Sequence, residues 1–542
     1  MPSLAGFPLN ARGKGIQGVF RLHSLVSLLP ESGQAFAAGL HPEMLRTWLE
    51  SLSRLTPEEA AAAVKEQLKR LDAASGFRAR QKMLDILAEE TARITGLFEA
   101  ELNKARHPLS AALQRKVVVG NDLLKYHAKS YRSAAERIKG GWMRWGNADL
   151  LPRTLGGAMD MERRRLVLAY RAYAPGSRSA WRNLHSLYRM ARTAGQASAD
   201  ASAAARNSPV QLYIKALLLA LAEPVQMAPG ELDRVRFYLD RYAGLAELRD
   251  LTRFPGEAAP REGCFLIRHN EDGPGRSLQK WHNIEIRSGD LLLDCGPLLA
   301  RMRSQIDALE HGVLPSKIGL PSVAHRPQYL AMMKNLQTQW SVPPWRRSQR
   351  QHFKPRVELA VGLDDLWSML SGAALRRRRD DHAEADAAAH SVELSEWSVS
   401  NESPTGFALQ YLNGESSALS AGTLVGVRSP DRSQVHICLV RRIVSGDARR
   451  TALGLLKYAP FAVPTLISWS GSAAATRPPA KAIVMPRVPA LDAGGAVIVE
   501  PNVLRSGKRV PFVLDGCRLT YVAGAPVERC KAYEIFSLSN PE

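Results

Sequence analysis

The sequence predicts a multidomain α + β protein, helical in its N-terminal half and built from small antiparallel β units in its C-terminal half. Three observations carry this expectation. Between about residues 55 and 250 the apolar residues recur at the 3.6-residue period of amphipathic helices. From about residue 353 onward they alternate in short runs bounded by Gly, Pro, Asn and Asp. A chain of 542 residues, 45% of them hydrophobic, has material for real cores. At about 150 residues per domain it predicts roughly three or four domains.

Residues 1–52 read as an irregular segment with scattered Gly and Pro. A helix start follows in LTPEEAAAAVKEQLKRL, where Thr56 is an N-cap, Pro57 suits the first helical position and Glu59 completes a capping box. QKMLDILAEETARITGLFEAEL sets Met83, Leu84, Leu87, Ile94, Leu97 and Phe98 on one face. RRRLVLAYRAYA, SAWRNLHSLYRMARTAG, SPVQLYIKALLLALAEP and GELDRVRFYLDRYAGLAEL repeat the pattern, so residues 53–255 read as a helical domain. Trp181, Leu184, Tyr188 and Ala191 fit part of the tetratricopeptide pattern, but His185 holds its Gly position and only one convincing copy occurs. Stacked repeats need about three copies, so a general antiparallel helical domain is the expectation. Its grooves would suit a protein partner.

The period changes near Gly263. GCFLIRHNEDGPGRSLQKWHNIEIRSGDLLLDCG alternates and carries an Asp272-Gly273 turn signal, which predicts a β hairpin or meander. The GPG at 273–275 reads as part of that turn rather than as a phosphate loop. Two helical patterns, LLARMRSQIDALEHG and RPQYLAMMKNLQTQW, complete a connector over residues 256–342, and Pro343-Pro344 ends it. HFKPRVELAVGL, WSVSNESPTGFALQYL, AGTLVGVRSP, VHICLVRRIVSG and TALGLLKYAP then read as short strands. A second β group follows over 476–542: KAIVMPRV, GAVIVEP, RVPFVLDG, CRLTYVAG and AYEIFSL. Strands at this spacing predict small barrels or a sandwich. Residues 363–395 interrupt them, with a basic block and then an acidic one, and read as an insertion; Asp380 and Asp381 partly cancel the field of Arg376 to Arg379.

The formal net charge of +21 suits nucleic acid, anionic headgroups or phosphorylated ligands, and equally a solvated Arg-rich surface. Few aromatic residues interleave with the basic clusters, which speaks against single-strand stacking and against nucleic acid as the partner. Five cysteines with no CxxC spacing predict neither a disulfide framework nor a zinc ribbon, and a reducing cytoplasm is the expected location. The first twenty residues lack the apolar core of a signal peptide, and no apolar run approaches the ~18 residues of a membrane span. No HExxH, nucleophile turn or Walker loop occurs, so no catalytic or metal-ligating residue is assigned and no cofactor is expected.

Two short patterns carry chemistry. WRRSQRQHF, just before the first C-terminal strand, contains R-x-x-x-R: Arg346 and Arg350, with Arg347 between them. Arginine forks grip phosphates and the O6/N7 edge of guanine. NESPTG contains N-x-S-x-x-G: Asn401, Ser403 and Gly406. Asn and Ser offer short hydrogen-bonding groups, and Gly permits close approach. Taken alone, the hexapeptide reads as a β-bulge with local side-chain bonding in preference to a ligand site.

Together the two patterns resemble the signature of the PilZ domain, a bacterial receptor module for cyclic di-GMP. The resemblance covers about residues 343–475, with VHICLVRRIVSG and TALGLLKYAP similar to the later strands of such domains. Here the two halves of the signature are farther apart than is usual, because the 363–395 segment separates them. The resemblance implies a six-stranded antiparallel β-barrel followed by a second small β unit. It implies cyclic di-GMP as ligand, with Arg346, Arg347 and Arg350 at phosphates and guanine faces. Asn401 and Ser403 would bond a guanine edge, and Gly406 would leave room. A clamped linker would then reorient the helical domain toward an unidentified protein partner. The rival reading is an interaction scaffold whose barrel has lost its nucleotide.

Overall fold

The computed structural model describes residues 42–539 apart from 72–75, 141–148, 195–207, 252–261, 281–285, 343–354, 372–393, 415–418, 430–433, 446–450, 468–478, 486–494, 515–516 and 531. Among the described residues eight α-helices come first: α1 (Pro42–Ser51), α2 (Pro57–Leu71), α3 (Phe77–Leu102), α4 (Ala111–Gly140), α5 (Leu150–Arg171), α6 (Arg178–Thr193), α7 (Pro209–Leu221) and α8 (Glu231–Tyr242). The capping box forms as the sequence predicts: Thr56 N–H donates to the Glu59 carboxylate at 2.9 Å, and Glu59 N–H donates to Thr56 Oγ1 at 3.3 Å. Helices α4 and α5 run antiparallel, since Gly120 abuts Leu168 while Gly157 abuts the Tyr131 ring. In α6 the tetratricopeptide-like residues Trp181, Leu184, Tyr188 and Ala191 are core. His185, in their midst, bonds the Tyr213 hydroxyl at 2.6 Å and the Gly273 carbonyl at 3.0 Å.

The last helical pattern stops earlier than its periodicity suggests. Beyond Tyr242 the chain makes one 3-10 turn and then strand β1 (Glu247–Asp250). That strand pairs with β4 (Leu291–Asp294) in a four-stranded sheet that also holds β2 (Cys264–Ile267) and β3 (Arg276–Ser277), in the order β1-β4-β2-β3. ELRD has no strong strand preference of its own; a partner some forty residues away supplies the pairing. Helices α9 (Gly296–Glu310) and α10 (Pro327–Ser341) follow. Buried Trp340 donates its indole N–H to the Leu218 carbonyl at 3.0 Å, so this connector shares one continuous core with the helices before it.

The remainder forms two closed six-stranded antiparallel barrels. The first contains β5 (Arg356–Val361), β6 (Ser395–Ser403), β7 (Gly406–Gly414), β8 (Leu424–Arg428), β9 (Val435–Val444) and β10 (Ala452–Ala459), and α11 (Gly362–Leu370) follows β5. WSVSNESPTGFALQYL is thus a hairpin rather than one strand. Its turn is Pro404-Thr405, where Pro lacks the N–H that a continuing ladder would need. The second barrel contains β11 (Val463–Ile467), β12 (Ala480–Met485), β13 (Ala496–Val499), β14 (Arg509–Leu514), β15 (Cys517–Arg529) and β16 (Glu534–Ser539). Strand β11 lies within the 343–475 span yet pairs with β12 and β14.

The parts touch through buried contacts. Trp367 of α11 donates to the Thr465 carbonyl of β11 at 3.0 Å, and the Tyr533 hydroxyl donates to the Gly422 carbonyl at 2.8 Å. On the helical side, Tyr173 lies beyond α5 with φ 52°, a left-handed conformation uncommon for a bulky residue. Its ring joins the core of the first barrel, its carbonyl accepts from Ser445 N–H at 2.9 Å, and its hydroxyl donates to the Met227 carbonyl at 2.9 Å.

Candidate ligand face on the first barrel

Strand β6 starts with its odd-numbered residues inward: Ser395, Trp397 and Val399 are buried. If that alternation continued, Asn401 and Ser403 would also point into the barrel. It does not continue. Val399 lies opposite Leu409 and Asn401 opposite Ala408, so Ser400 is an extra, bulged residue. A one-residue shift exchanges the two faces of a strand. Residues directly opposite across antiparallel strands share a face. Leu409 and Phe407 are the buried, inward residues of β7. Asn401 opposite Ala408, and Ser403 opposite Gly406, therefore face outward.

The register extends this outward row across four strands. Ala408 lies opposite Gly454 of β10, and Gly454 opposite Arg442 of β9. Asn401 and Arg442 thus flank a floor of Ala and Gly, on the order of 14 Å apart at the usual strand spacing. Nothing on that floor rises beyond a methyl group. The side chains of Asn401 and Arg442 have no partner among the described residues, Asn401 being half-buried and Arg442 exposed. Ser403 donates to the Gly406 carbonyl at 3.3 Å, across the hairpin turn.

Gly406 has a structural reason to be glycine. A Cβ there would collide with the Leu455 carbonyl oxygen of β10, against which β7 is paired. At the turn end of the same hairpin, on the inward face, Lys457 donates to Glu402 at 2.5 Å and lies 4.1 Å from the centre of the Phe407 ring.

Arg346, Arg347 and Arg350 lie outside the described residues. The chain that carries them enters the barrel at Pro355, whose carbonyl accepts from Val399 N–H at 2.9 Å, next to the Ser400 bulge. Sequence reasoning missed the Ala408, Gly454 and Arg442 row. Its signal was present, since a glycine inside the strand-like run TALGLLKYA marks a place of close approach or an open surface. Tyr173 left no comparable signal.

Among the described residues no group of His, Cys, Asp or Glu could hold a metal ion, and no helix is long and apolar enough to cross a membrane. Cys264, Cys295, Cys438 and Cys530 form no disulfide among the described residues, and burial pushes Cys438 up to about 12.

Comparison with known proteins bears on both halves. Residues 43–253 match the family described as the N-terminal domain of the cyclic-di-GMP receptor FimW, and residues 370–464 match that described as its middle PilZ domain. The second match begins after β5 and so does not include the arginine pattern. Over 412 residues the chain is 22% identical to the cyclic-di-GMP receptor FimW of Pseudomonas aeruginosa, covering 65% of this chain and 66% of that protein, just under two thirds of its length. No solved structure matches. The first barrel of this chain, with its N-x-S-x-x-G hairpin turned outward, is a PilZ domain, and it follows a helical region of the FimW N-terminal type.

Proposed function

We propose that this protein is a cyclic di-GMP effector whose ligand lies on the outer face of the first barrel. The observation that carries the reading is the Ser400 bulge, which turns Asn401 and Ser403 outward beside the point where the arginine-bearing chain joins β5. Arg350 is five residues before Pro355. Five residues span at most about 18 Å, so the Arg350 backbone stays within reach of Asn401. In this reading Arg346, Arg347 and Arg350 grip phosphates and guanine faces. Asn401 and Ser403 bond a guanine edge, and the Ala408–Gly454 floor leaves space for the bases. A receptor of this kind binds and signals without catalysis. Its free thiols fit a reducing cytoplasm.

The output runs through the helical region. Ligand ties the linker before β5 against the barrel, and the helical region, proposed as the 53–255 domain, shifts relative to it and changes its grip on a partner protein. The Tyr173 contact also links these parts, so the shift must strain or release it. A ligand moves such an equilibrium only by its difference in affinity for the two states.

Calorimetric titration with cyclic di-GMP tests the reading, with GTP as control and Arg350→Ala and Asn401→Ala as variants. A bidentate arginine–guanine contact is worth about 1–3 kcal/mol. Arg350→Ala is therefore expected to weaken binding by roughly 10- to 100-fold. Absence of saturable binding in the wild type at low-micromolar concentrations refutes the receptor reading and favours the scaffold.

A further inference from the structure

The two barrels share one topology. In the first, the strand order around the barrel is β7-β6-β5-β8-β9-β10, closing on β7. In the second it is β13-β12-β11-β14-β15-β16, closing on β13. Numbered within each barrel, both read third, second, first, fourth, fifth, sixth, and every pair is antiparallel. The irregularities partly agree as well: the fifth and sixth strands slip register in both. A closed six-stranded barrel can be threaded in many ways, so the same order in two consecutive barrels points to duplication of one unit.

The second copy differs where the first would hold its ligand. Its second and third strands, β12 and β13, pair without a bulge. Residues 486–495 between them, PRVPALDAGG, contain neither Asn nor Ser, and residues 451–462 before β11 contain no arginine. The strand face corresponding to Asn401, Ala408 and Gly454 belongs to β12, β13 and β16. Inward residues of these strands are Ala482, Val484, Val497, Val499 and Phe536, in the barrel's own core. Their alternates, Ile483, Met485, Ala496, Ile498 and Ile535, point out. Outward residues would ordinarily meet water. Here Ile483, Ile498 and Ile535 are each 0% exposed. They share a single buried cluster with Leu424, Ile437 and Leu439, from β8 and β9 of the first barrel, and with Leu366 of α11.

We infer that the C-terminal barrel is a second PilZ-type barrel whose nucleotide-equivalent face has become a permanent docking surface for the first, so that the chain holds one cyclic-dinucleotide site, on the first barrel alone. The surface is apolar, its occupant is the β8–β9 wall with α11, and the Tyr533–Gly422 and Trp367–Thr465 hydrogen bonds lie at the seam. Strand β9 also carries Arg442, so the docked barrel backs one wall of the ligand face.

The site count rests on the proposed function; the docking face does not, and two measurements on the full chain separate them. The first is calorimetry with cyclic di-GMP on the wild type and on the double variant Asn401→Ala, Ser403→Ala. The double variant is expected to lose binding by at least about 100-fold, with no residual saturable phase. A residual phase of unchanged affinity overturns the single-site inference, whereas a wild type that does not bind removes the receptor reading itself. The second is urea unfolding without ligand, followed by tryptophan fluorescence, for Ile498→Asp beside Leu466→Asp, an outward position of β11 that is 37% exposed. An unpaired charge on the docked face is expected to lower the urea midpoint by about 1 M or more, against roughly 0.3 M or less at Leu466. Equal shifts overturn the docking face. Should Ile498→Asp not fold, Ile498→Ala against Leu466→Ala decides the same question, with a drop expected only at position 498.

Discussion

Gly406→Ala separates two reasons for a glycine at this position. If the glycine serves only to leave room for ligand, the unliganded protein should tolerate a methyl group. The structure predicts otherwise. The new Cβ would lie well inside van der Waals contact with the Leu455 carbonyl oxygen, with the Leu455 carbonyl carbon only 3.3 Å away. Neither is the tip of a flexible side chain. Leu455 is paired on one side with Phe407 and on the other with Val440, so β10 is held between two neighbours and cannot swing away alone. Relief requires β7 and β10 to separate at the hairpin, which loosens the Lys457 N–H bond to the Thr405 carbonyl, now 2.9 Å. Overpacking of one methyl group typically costs about 1–3 kcal/mol, and a lost backbone hydrogen bond adds about 1 kcal/mol. Gly406→Ala should therefore lose roughly 2–4 kcal/mol without any ligand present. Urea unfolding followed by tryptophan fluorescence, to which buried Trp397 in the core of the same barrel contributes, reads that loss. A variant within about 0.5 kcal/mol of wild type would refute the packing argument and return Gly406 to a role in binding alone.

Other expectations follow from the same structure. Gly96, exposed in α3 with nothing within 4 Å of its missing Cβ, should gain up to about 1 kcal/mol as alanine, measured by the same unfolding assay. Buried His127 donates from Nε2 to the Leu84 carbonyl at 3.1 Å and accepts at Nδ1 from the Thr91 hydroxyl at 3.0 Å, so it is built in neutral. Burial lowers it, and His107 as well, from about 6.5 to about 4. Between those values the unfolded chain binds more protons than the folded one. Stability is full above pH 6.5 and falls as pH drops toward 4, by roughly 2 kcal/mol per histidine between pH 7 and pH 5. Urea midpoints at the two pH values should show this, and His127→Gln should remove its share; a pH-independent midpoint counts against it. Tyr173→Ala empties a seat in the barrel core and should cost about 3–5 kcal/mol by analogy with other buried aromatic truncations. Small-angle scattering should then show the helical region and barrel moving apart, and an unchanged scattering profile would mean that other contacts hold them.

How much of this was legible beforehand depends on whether the information is local. The helices were, because a 3.6-residue apolar period and a Thr56–Glu59 capping box are statements about neighbours in sequence. The strands were too, since alternation and turn residues bound them, and so were Asn401, Ser403 and Gly406 as a motif. Only the tertiary structure decided which way those side chains face. Alternation along β6 sends residues 401 and 403 inward, and the Ser400 bulge that reverses them exists only relative to the register of β7. The same holds for ELRD, which becomes a strand because β4 pairs with it, and for VPTLI, which closes the second barrel through β12 and β14. The outward isoleucines of β12, β13 and β16 read in sequence as a doubly apolar run, but only the β8–β9 wall of the first barrel explains what covers their second face. Local chemistry specifies the elements and the recognition groups; pairing between distant segments specifies register, and register specifies the face.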